Sequence, residues 1–406
     1  MIKAGYKITA LGEIPEEWNI GVLGNMIEVL DSMRVPLSDI QREKNRGPIP
    51  YCGANGIIDY IDKYIFDDET VLVAEDGGSY GKYQDKAYIM VGKYWVNNHA
   101  HVFICKKGVL DNKFIMYWLN FAEIRSYISG TTRTKLNQEM LKKIVVPIIP
   151  YLEQKKIAKI LSDTDALIES LDQLITKKKN IKQGLMHELL TRGIGHTRYK
   201  DTIIGRIPEE WVLSSLQESC ELIKDGTHNP PKRIRSGIPL LSAINIENGK
   251  IDFHNNVTYI DEKDYKQINK FYSIKKGDVL ITIVGTLGRL ALVISDRKFS
   301  IQRSVAILRP HYNKVNNKYL FYILNSIKSQ EQIIFYSKST AQIGIYLGGL
   351  VKIAIPIPPL PEQQKIAKIL SNADKEIGAL EQKTEKYKMI KEGLMQELLT
   401  GKVRVK

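Results

Sequence analysis

The chain contains 406 residues, of which 43% are hydrophobic and 26% charged, and it carries a formal net charge of +14. This balance excludes an intrinsically disordered chain, and the length favours two or more domains, because single hydrophobic cores rarely grow to this size. No apolar run approaches the roughly 18 residues of a membrane span, so we expect a cytoplasmic protein with no membrane partner.

The N-terminal segment contains a motif that occurs twice in the chain. Residues 12–18 read GEIPEEW, and residues 205–211 read GRIPEEW. A motif that recurs within one chain indicates an internal duplication.

The regions that follow each copy of this motif combine short β-like runs with turn residues. In residues 20–150 the run 70–74 is apolar and β-branched, and residues 113–121 have helical spacing. The same mixture recurs in residues 213–358, for example at 278–283. These patterns predict two compact α/β (α+β) domains with mixed, largely antiparallel sheets.

A long repeated segment closes each region. Residues 147–191 recur as residues 356–400, a shift of 209, and 27 of the 45 positions are identical. Residues 153–190 and 362–399 contain no proline. Each stretch can therefore form one helix, roughly 57 Å long at about 1.5 Å per residue.

Apolar residues follow a heptad spacing along both long segments. They are Ile157, Ile160, Leu167, Leu171, Leu174, Ile181 and Leu185 in the first copy, and Ile366, Ile369, Ala373, Leu380, Tyr387, Ile390 and Leu394 in the second. A narrow apolar stripe flanked by polar residues predicts an intramolecular coiled coil. Polar residues at Thr164, Lys178, Glu376 and Lys383 interrupt the stripe, and the alternative is that each helix packs only on its own domain.

These features divide the chain into seven parts. They are an N-terminal repeated segment (1–19), a first variable domain (20–150), a central long helix (151–192), a linker with the repeated N-terminal motif (193–212), a second variable domain (213–358), a C-terminal long helix (359–400) and a tail (401–406).

The repeated sequence motifs resemble those of one known protein family. PIPPLPEQQKIAKIL enters the second long helix, GLMQELLT closes it, and GxIPxxW precedes each variable region. Within the second region, KKGDVLITIVGTLGRLALV and FSIQRSVAILRP are similar to the same family. Over essentially its whole length the chain resembles the specificity subunits of type I restriction-modification systems.

The resemblance implies a recognition protein that performs no catalysis and holds no cofactor or metal. Its implied partners are double-stranded DNA, two methyltransferase (modification) subunits and two restriction (motor-nuclease) subunits. S-adenosylmethionine, ATP and Mg are expected on those partners. Antiparallel helices would place one domain at each end, related by an approximate two-fold axis like that of duplex DNA. The expected target is therefore bipartite and asymmetric, with the helices as the spacer between half-sites.

DNA sequence is read by side chains that reach base edges from loops, while lysine and arginine also hold phosphates. Our candidates for DNA binding are Ser79, Tyr80, Lys82, Asn97, Asn98, His99, Thr132, Arg133 and Lys135 in the first domain, and Thr227, His228, Lys232, Arg235, Thr286, Arg289, Gln302, Arg303, Ser304, Thr340 and Gln342 in the second. For docking of the methyltransferase subunits we expect apolar positions outside the coiled-coil seam, namely Leu161, Ile168, Leu370 and Ile377.

Enzyme signatures are weak in this sequence. The NPP at residues 229–231 lacks the aromatic residue that follows it in amino-methyltransferases, and no glycine-rich loop has phosphate-binding spacing. Cys52, Cys105 and Cys220 have no metal-ligand spacing, so we expect no zinc site. Two alternatives to the type I function stay open: a specificity subunit of a related system with a combined nuclease-methyltransferase, and a coiled-coil scaffold that does not bind DNA.

Overall fold

The computed structural model describes residues 4–130, 134–270, 272–339 and 343–405. They form two compact units. Unit 1 contains Met1–Gln173 and Glu381–Lys406, and unit 2 contains Leu174–Leu380. Each unit therefore includes part of both long helices. Within the described ranges, no helix combines the length and the apolar character that a membrane span requires.

Unit 1 combines short strands with four helices, and the fourth of these continues into unit 2. The strands are β1 (Tyr6–Thr9), β2 (Gly12–Pro15), β3 (Asn19–Val22), β4 (Ile27–Val29), β5 (Arg46–Gly53), β6 (Gly56–Ile61), β7 (Phe66–Asp67), β8 (Thr70–Ala74), β9 (Ala87–Met90), β10 (Lys93–Val96), β11 (Ala100–Cys105) and β12 (Val145–Ile148). The helices are α1 (Asp39–Lys44), α2 (Asn112–Phe121), α3 (Gln138–Lys143) and α4 (Tyr151–Thr191).

Two four-stranded sheets carry the first variable region. One is antiparallel with the order β4-β11-β8-β9. The other has the order β6-β5-β10-β7, in which β5 and β10 are parallel and the remaining pairs antiparallel. Strand β8 is buried on both faces because the second sheet covers one side and helix α2 packs on the other.

Unit 2 contains the remaining elements. The strands are β13 (Tyr199–Thr202), β14 (Gly205–Pro208), β15 (Val212–Ser215), β16 (Cys220–Asp225), β17 (Ile238–Leu241), β18 (Ile246–Glu247), β19 (Lys250–Ile251), β20 (Thr258–Ile260), β21 (Val279–Thr282), β22 (Leu290–Leu292), β23 (Ser300–Ile301), β24 (Val305–Pro310), β25 (Lys338–Ser339), β26 (Ile343–Gly344) and β27 (Ala354–Ile357). The helices are α5 (Leu216–Ser219), α6 (Glu262–Ile268), α7 (Asn317–Leu324), α8 (Ile327–Phe335), α9 (Leu347–Leu350) and α10 (Leu360–Leu398), the last of which continues into unit 1.

The second variable region repeats the topology of the first. Its antiparallel sheet has the order β16-β24-β21-β22, which matches β4-β11-β8-β9 strand for strand. Its smaller sheet, β20-β17-β23, again contains one parallel pair, β17 with β23. The prediction of two similar mixed α/β domains is confirmed.

The repeated tryptophan of the IPEEW motif anchors each unit to the first turn of a long helix. In unit 1 the fully buried Trp18 ring donates from Nε1 to Oε2 of Glu153 at 3.4 Å. In unit 2 the fully buried Trp211 donates to Oε2 of Glu362 at 3.1 Å. Both glutamates occupy the same position of the repeated helix. The motif therefore recurs because each unit needs the same anchor.

The two long helices run antiparallel in both units. In unit 2, Lys178 of α4 lies 2.6 Å from Glu376 of α10, and Lys182, further along α4, lies 2.5 Å from Asp374. In unit 1, Asp165 of α4 lies 2.6 Å from Lys391 of α10. The predicted antiparallel coiled coil is confirmed by these pairs.

The predicted register of the coiled-coil seam is wrong in part. Five residues that we expected in the seam are more than a third exposed, namely Leu167, Leu174, Ile181, Ile369 and Ile390. Leu171 is buried as expected, and Ile175, one turn further along α4, is buried with it. Lysine and threonine side chains fill the rest of the buried face, because their polar groups find partners there. The sequence does not show that these polar side chains lie in the seam, because a heptad pattern counts every lysine as polar, whether or not it forms an ion pair.

A three-residue cluster joins each variable domain to both long helices. In unit 1 the Tyr117 hydroxyl donates to Oδ2 of Asp165 at 2.7 Å, and Lys391 lies over the tyrosine ring. In unit 2, Tyr322 donates to Asp374 at 2.6 Å, with Lys182 over its ring. The same geometry in both units shows that the duplication extends to side-chain contacts.

Replacing Asp165 with asparagine should destabilise unit 1 by about 1–3 kcal/mol, because hydrogen bonds to a charged group contribute more than neutral ones. Urea unfolding monitored by near-ultraviolet circular dichroism measures the change. The matched control is Asp163→Asn, which breaks an exposed pair with Lys159 and should cost less than about 1 kcal/mol. Equal effects for the two variants would show that the cluster contributes no more than a surface ion pair.

Candidate nucleic-acid interface

Three loops meet at one end of the antiparallel sheet of unit 1. The backbone N–H of Glu75, just after β8, donates to the carbonyl of His99 at 2.9 Å. The N–H of Leu136, just before α3, donates to the carbonyl of Glu75 at 2.8 Å. An isolated bridge also joins Asp76 to Lys135. Loops far apart in sequence are thereby held side by side.

Unit 2 brings the corresponding loops together through the same bonds. The N–H of Ile283, just after β21, donates to the carbonyl of Ser304 at 2.9 Å, and the N–H of Ile345 donates to the carbonyl of Ile283 at 2.9 Å. A fourth segment joins them, because the N–H of Arg303 donates to the carbonyl of Thr227 at 3.0 Å. The candidates chosen in the two domains therefore lie on equivalent loops.

Some candidates of the first domain are exposed at this end. Ser79 and Asn98 are exposed, and the half-exposed His99 is held by Asp76, with Nδ1 2.7 Å from Oδ1. Lys135 is also exposed, and its ammonium group lies 2.8 Å from Glu75.

Two other candidates are buried in unit 1, and a third makes contacts within that unit. Tyr80 is 5% exposed and belongs to the core. Asn97 is buried, and its side-chain oxygen accepts from the N–H of His99 at 2.8 Å, which stabilises the turn. Lys82 donates to the side chain of Gln396 on α10 at 2.8 Å and lies over the ring of Phe121. Burial leaves Tyr80 and Asn97 without a surface toward DNA, whereas Lys82 is exposed.

Most candidates of the second domain are accessible. Arg303, Lys232, Arg235 and Thr286 are exposed, and Gln302 is partly so. They lie on the loops that follow β16, β21 and β23. Their side chains can therefore reach a ligand at this end of unit 2.

The side chains of four further candidates of this domain contact other residues of unit 2. His228 lies 2.6 Å from Asp225, although its ring is exposed. The Ser304 hydroxyl accepts from the N–H of Ala243 at 3.0 Å, and Thr227 donates to the carbonyl of Asn229. The Arg289 guanidinium lies 3.9 Å from Glu247. Thr132, Arg133, Thr340 and Gln342 lie outside the described residues.

Sequence reasoning missed two residues at the same end of unit 1. The side chain of Asn55, at the tip of the β5–β6 hairpin, donates to the carbonyl of Gly77 at 3.2 Å. Asp76 orients His99. Asn55 stands in an Ala-Asn-Gly turn, a sequence that marks a hairpin tip but does not indicate which loop the tip contacts.

A buried charged cluster lies directly behind these loops, and we name it the Asp31 network. Nδ1 of His101 lies 2.6 Å from Oδ2 of Asp31 and 3.7 Å from Oε2 of Glu75. Arg34 lies 2.6 Å from Glu75, and Lys135 approaches the same carboxylate from outside. The network consists of Asp31, Arg34, Glu75, His101 and Lys135.

The two carboxyl groups of this network are held ionised. Burial alone would raise the pKa of Asp31, but hydrogen bonds from His101, Val102 and Gln138 outweigh it and lower the pKa. Burial likewise opposes ionisation of Glu75, whose pKa is nevertheless lowered by Lys135 and Arg34.

The ligand atoms of Asp31, Glu75 and His101 lie within 4.8 Å of one another, a spacing that also suits a metal ion. Both carboxylates already have cationic partners, and Nε2 of His101 is 2.7 Å from the carbonyl of Leu136. We therefore interpret the cluster as an ion-pair network.

Comparison with known proteins decides the family. A family model described as the type I restriction modification DNA specificity domain matches residues 15–181 and 208–388. The chain belongs to this family. Specificity subunits recognise DNA and are not the catalytic subunits of their enzymes, so the chain is a DNA-recognition subunit.

Relatives of known name and structure cover nearly the whole chain. It is 27% identical to the type I restriction enzyme MjaVIII specificity subunit of Methanocaldococcus jannaschii, over 97% of this chain and 94% of that one. A putative type I specificity subunit of Haemophilus influenzae is 28% identical over 93% and 95%. The crystal structure of the type I S subunit from M. genitalium shares the fold, with a TM-score of 0.62, 16% identity and 97% coverage of both chains.

The structure also corrects the expected docking residues on the long helices. Leu161 and Leu370 are completely buried in the cores of units 1 and 2, and Ile377 is 7% exposed. Ile168 is partly buried. The first three side chains offer no surface to a partner, because the real seam and the domain cores occupy the positions that we had assigned to docking.

Proposed function

We propose that each unit reads one half-site of a bipartite, asymmetric double-stranded DNA target. The observation that carries the proposal is the equivalence of the loops. The same topological positions carry Asn98 and His99 in unit 1 but Arg303 and Ser304 in unit 2. Two domains that share a scaffold but carry different side chains on these loops recognise two different DNA sequences. The net charge of +14 supports attraction to the phosphate backbone.

We further propose that the chain assembles in the cytoplasm with two methyltransferase subunits and two restriction subunits. S-adenosylmethionine, ATP and Mg would be bound by those partners. For methyltransferase docking the exposed apolar side chains of the long helices are now the better candidates. They are Leu167, Met389 and Ile390 in unit 1, and Leu174, Ile181 and Ile369 in unit 2.

Mapping of methylated adenines in a host that carries this chain and its methyltransferase tests the function. We expect one motif with two separated, different parts, and a motif with a single contiguous part would contradict the proposal.

Measuring DNA affinity over a series of salt concentrations distinguishes sequence-specific DNA binding from a scaffold role. Specific binding falls with a log–log slope of about −0.9 per neutralised phosphate and keeps a sequence-dependent difference. The genes beside this one distinguish the related system with a combined nuclease-methyltransferase.

Replacing Arg303 with alanine should weaken discrimination at the second half-site by about tenfold or more, because one base contact contributes about 1–3 kcal/mol. Arg303 is exposed on the β23–β24 turn. Competition binding with duplexes altered in one half-site at a time measures the effect. The control is Lys328→Ala, which removes an exposed lysine that pairs with Glu331 within α8. Unchanged discrimination in the Arg303 variant would remove this residue from the reading surface.

A further inference from the structure

The Asp31 network is only partly repeated in unit 2, where the strand register places Asp225, 2.6 Å from His228, at the position of Asp31. Strand pairing aligns Ala74 and Ala100 of unit 1 with Thr282 and Val305 of unit 2, each pair lying next to the loops. The position of His101 is then occupied by Ala306, one residue further along the same strand.

The position of Glu75 is apolar in unit 2 as well, and that of Leu136 is apolar in both units. The backbone bonds that join the loops align Glu75 with Ile283 and Leu136 with Ile345. Ile283 and Ile345 are 3% and 1% exposed. Unit 2 therefore has apolar side chains at the two positions where unit 1 has Glu75 and His101.

The hydrogen-bond geometry determines the protonation state of His101. Nδ1 faces the Asp31 carboxylate at 2.6 Å, and Nε2 faces the Leu136 carbonyl at 2.7 Å. Both partners can only accept a hydrogen bond when Asp31 is ionised. Only the imidazolium form of histidine donates from both nitrogens, and a neutral ring would leave one of these contacts without a proton. The side chain of His101 is 1% exposed, so water cannot replace the lost bond.

The charged groups that face His101 come from several elements. Asp31 and Arg34 lie between β4 and α1, Glu75 follows β8, and Lys135 precedes α3. Gln138 of α3 also donates to Asp31, at 3.1 Å. His101 thereby connects the β8–β9 loop and the segment before α3, and its strand begins directly after the turn that carries Asn98 and His99.

We propose that His101, held as an imidazolium, is a positioning residue that fixes the reading loops of unit 1, so that recognition of the first half-site alone depends on its proton. This inference rests on the proposed function, in which unit 1 reads one half-site. Unit 2 has the apolar residues Ala306 and Ile283 at the positions of His101 and Glu75, and buried ions seldom add stability over apolar packing. The network therefore has a role in holding one loop geometry.

The test compares discrimination at the two half-sites in the chain assembled with its methyltransferase. Discrimination is the ratio of dissociation constants for the mapped duplex and for a duplex altered in one half-site. His101→Gln, which cannot donate to both partners, should lower discrimination at the first half-site by about tenfold or more and leave the second unchanged. This ratio is independent of the active fraction, so partial unfolding does not imitate the effect.

A spectroscopic measurement keeps the inference testable if the variant folds poorly. Nitrogen-15 signals of labelled histidines in the wild-type chain should show a proton on each ring nitrogen of His101, because each nitrogen faces an acceptor. His99→Asn is used only to identify the signals of the exposed neighbouring histidine in the spectrum. Asp31→Asn is the comparison, because an asparagine amide can donate to a neutral ring, so that one nitrogen of His101 should then carry no proton.

The outcomes separate the two proposals. A neutral His101 at pH 7, or first-half-site discrimination that survives in the His101→Gln variant, overturns the positioning role. A wild-type complex that discriminates at neither half-site overturns the proposed function instead.

Discussion

Arg404→Ala is expected to destabilise unit 1 by about 3–5 kcal/mol, because it leaves a buried carboxylate without its cation. Arg404 donates from Nε and Nη2 to the two oxygens of Glu153 at 2.8 and 2.9 Å. The Glu153 side chain is only 3% exposed. Its other donors are the Trp18 indole, at 3.4 Å, and the backbone N–H of Val405, at 3.3 Å, and both contacts are too long to replace the guanidinium. Urea unfolding followed by tryptophan emission measures the loss.

Glu17→Gln is the matched control for this prediction. The Glu17 carboxylate lies 2.8 Å from Arg404 but is 59% exposed, so its loss should cost no more than about 1 kcal/mol. In unit 2 the equivalent carboxylate, Glu362, has three donors: Trp211, the N–H of Ile194 and His196. His196→Ala should therefore cost less than Arg404→Ala. Similar losses of stability in Arg404→Ala and Glu17→Gln would show that the buried ion pair contributes no more than the exposed one.

The duplication made most of the fold predictable. The motif around Trp18 recurs around Trp211 because each tryptophan must reach a glutamate in the first turn of a long helix. Residues 153–190 and 362–399 lack proline, so the sequence predicted a helix in each stretch. Strand order was not predictable, since the pairing of β4 with β11 joins residues far apart in the chain.

The helix seam was harder to place because polar groups enter it. Thr164 turns its hydroxyl back to the carbonyl of Ile160 at 2.8 Å, and Lys182 is held by Asp374. Both side chains fit a semi-buried seam once their polar groups are paired. A pattern of apolar residues therefore placed the stripe one position to the side, on Leu167 and Leu174.

The loops of the candidate site were predicted better than the roles of individual side chains. Arg303 and Asn98 lie exposed where expected, whereas Asn97 and Lys82 are occupied within the fold. The Asp31 network escaped sequence reasoning because Asp31 and His101 are 70 residues apart. No local pattern reveals that a strand pairing will bring them into contact.

Gly226→Ala is expected to remove most discrimination at the second half-site. A β-carbon at Gly226 would lie 2.5 Å from the carbonyl oxygen of Gln302 and would also meet the carbonyl of Ile301. These are backbone atoms and cannot rotate away, so the end of β16 must move from the β23–β24 turn. The neighbouring bonds from Thr227 to Ile301 and from Arg303 to Thr227, each 3.0 Å, would be strained or broken.

The expected loss is about ten- to hundredfold at this half-site, because each misread base pair costs about 1–3 kcal/mol. Gly348→Ala is the matched control, since a β-carbon there meets nothing within 4 Å and alanine suits helix α9. Competition binding with duplexes altered in either half-site measures both variants. Because the clash lies wholly within unit 2, discrimination at the first half-site should persist in Gly226→Ala. Loss at both half-sites, or at neither, would show that the contact between these two loops does not set how unit 2 reads DNA.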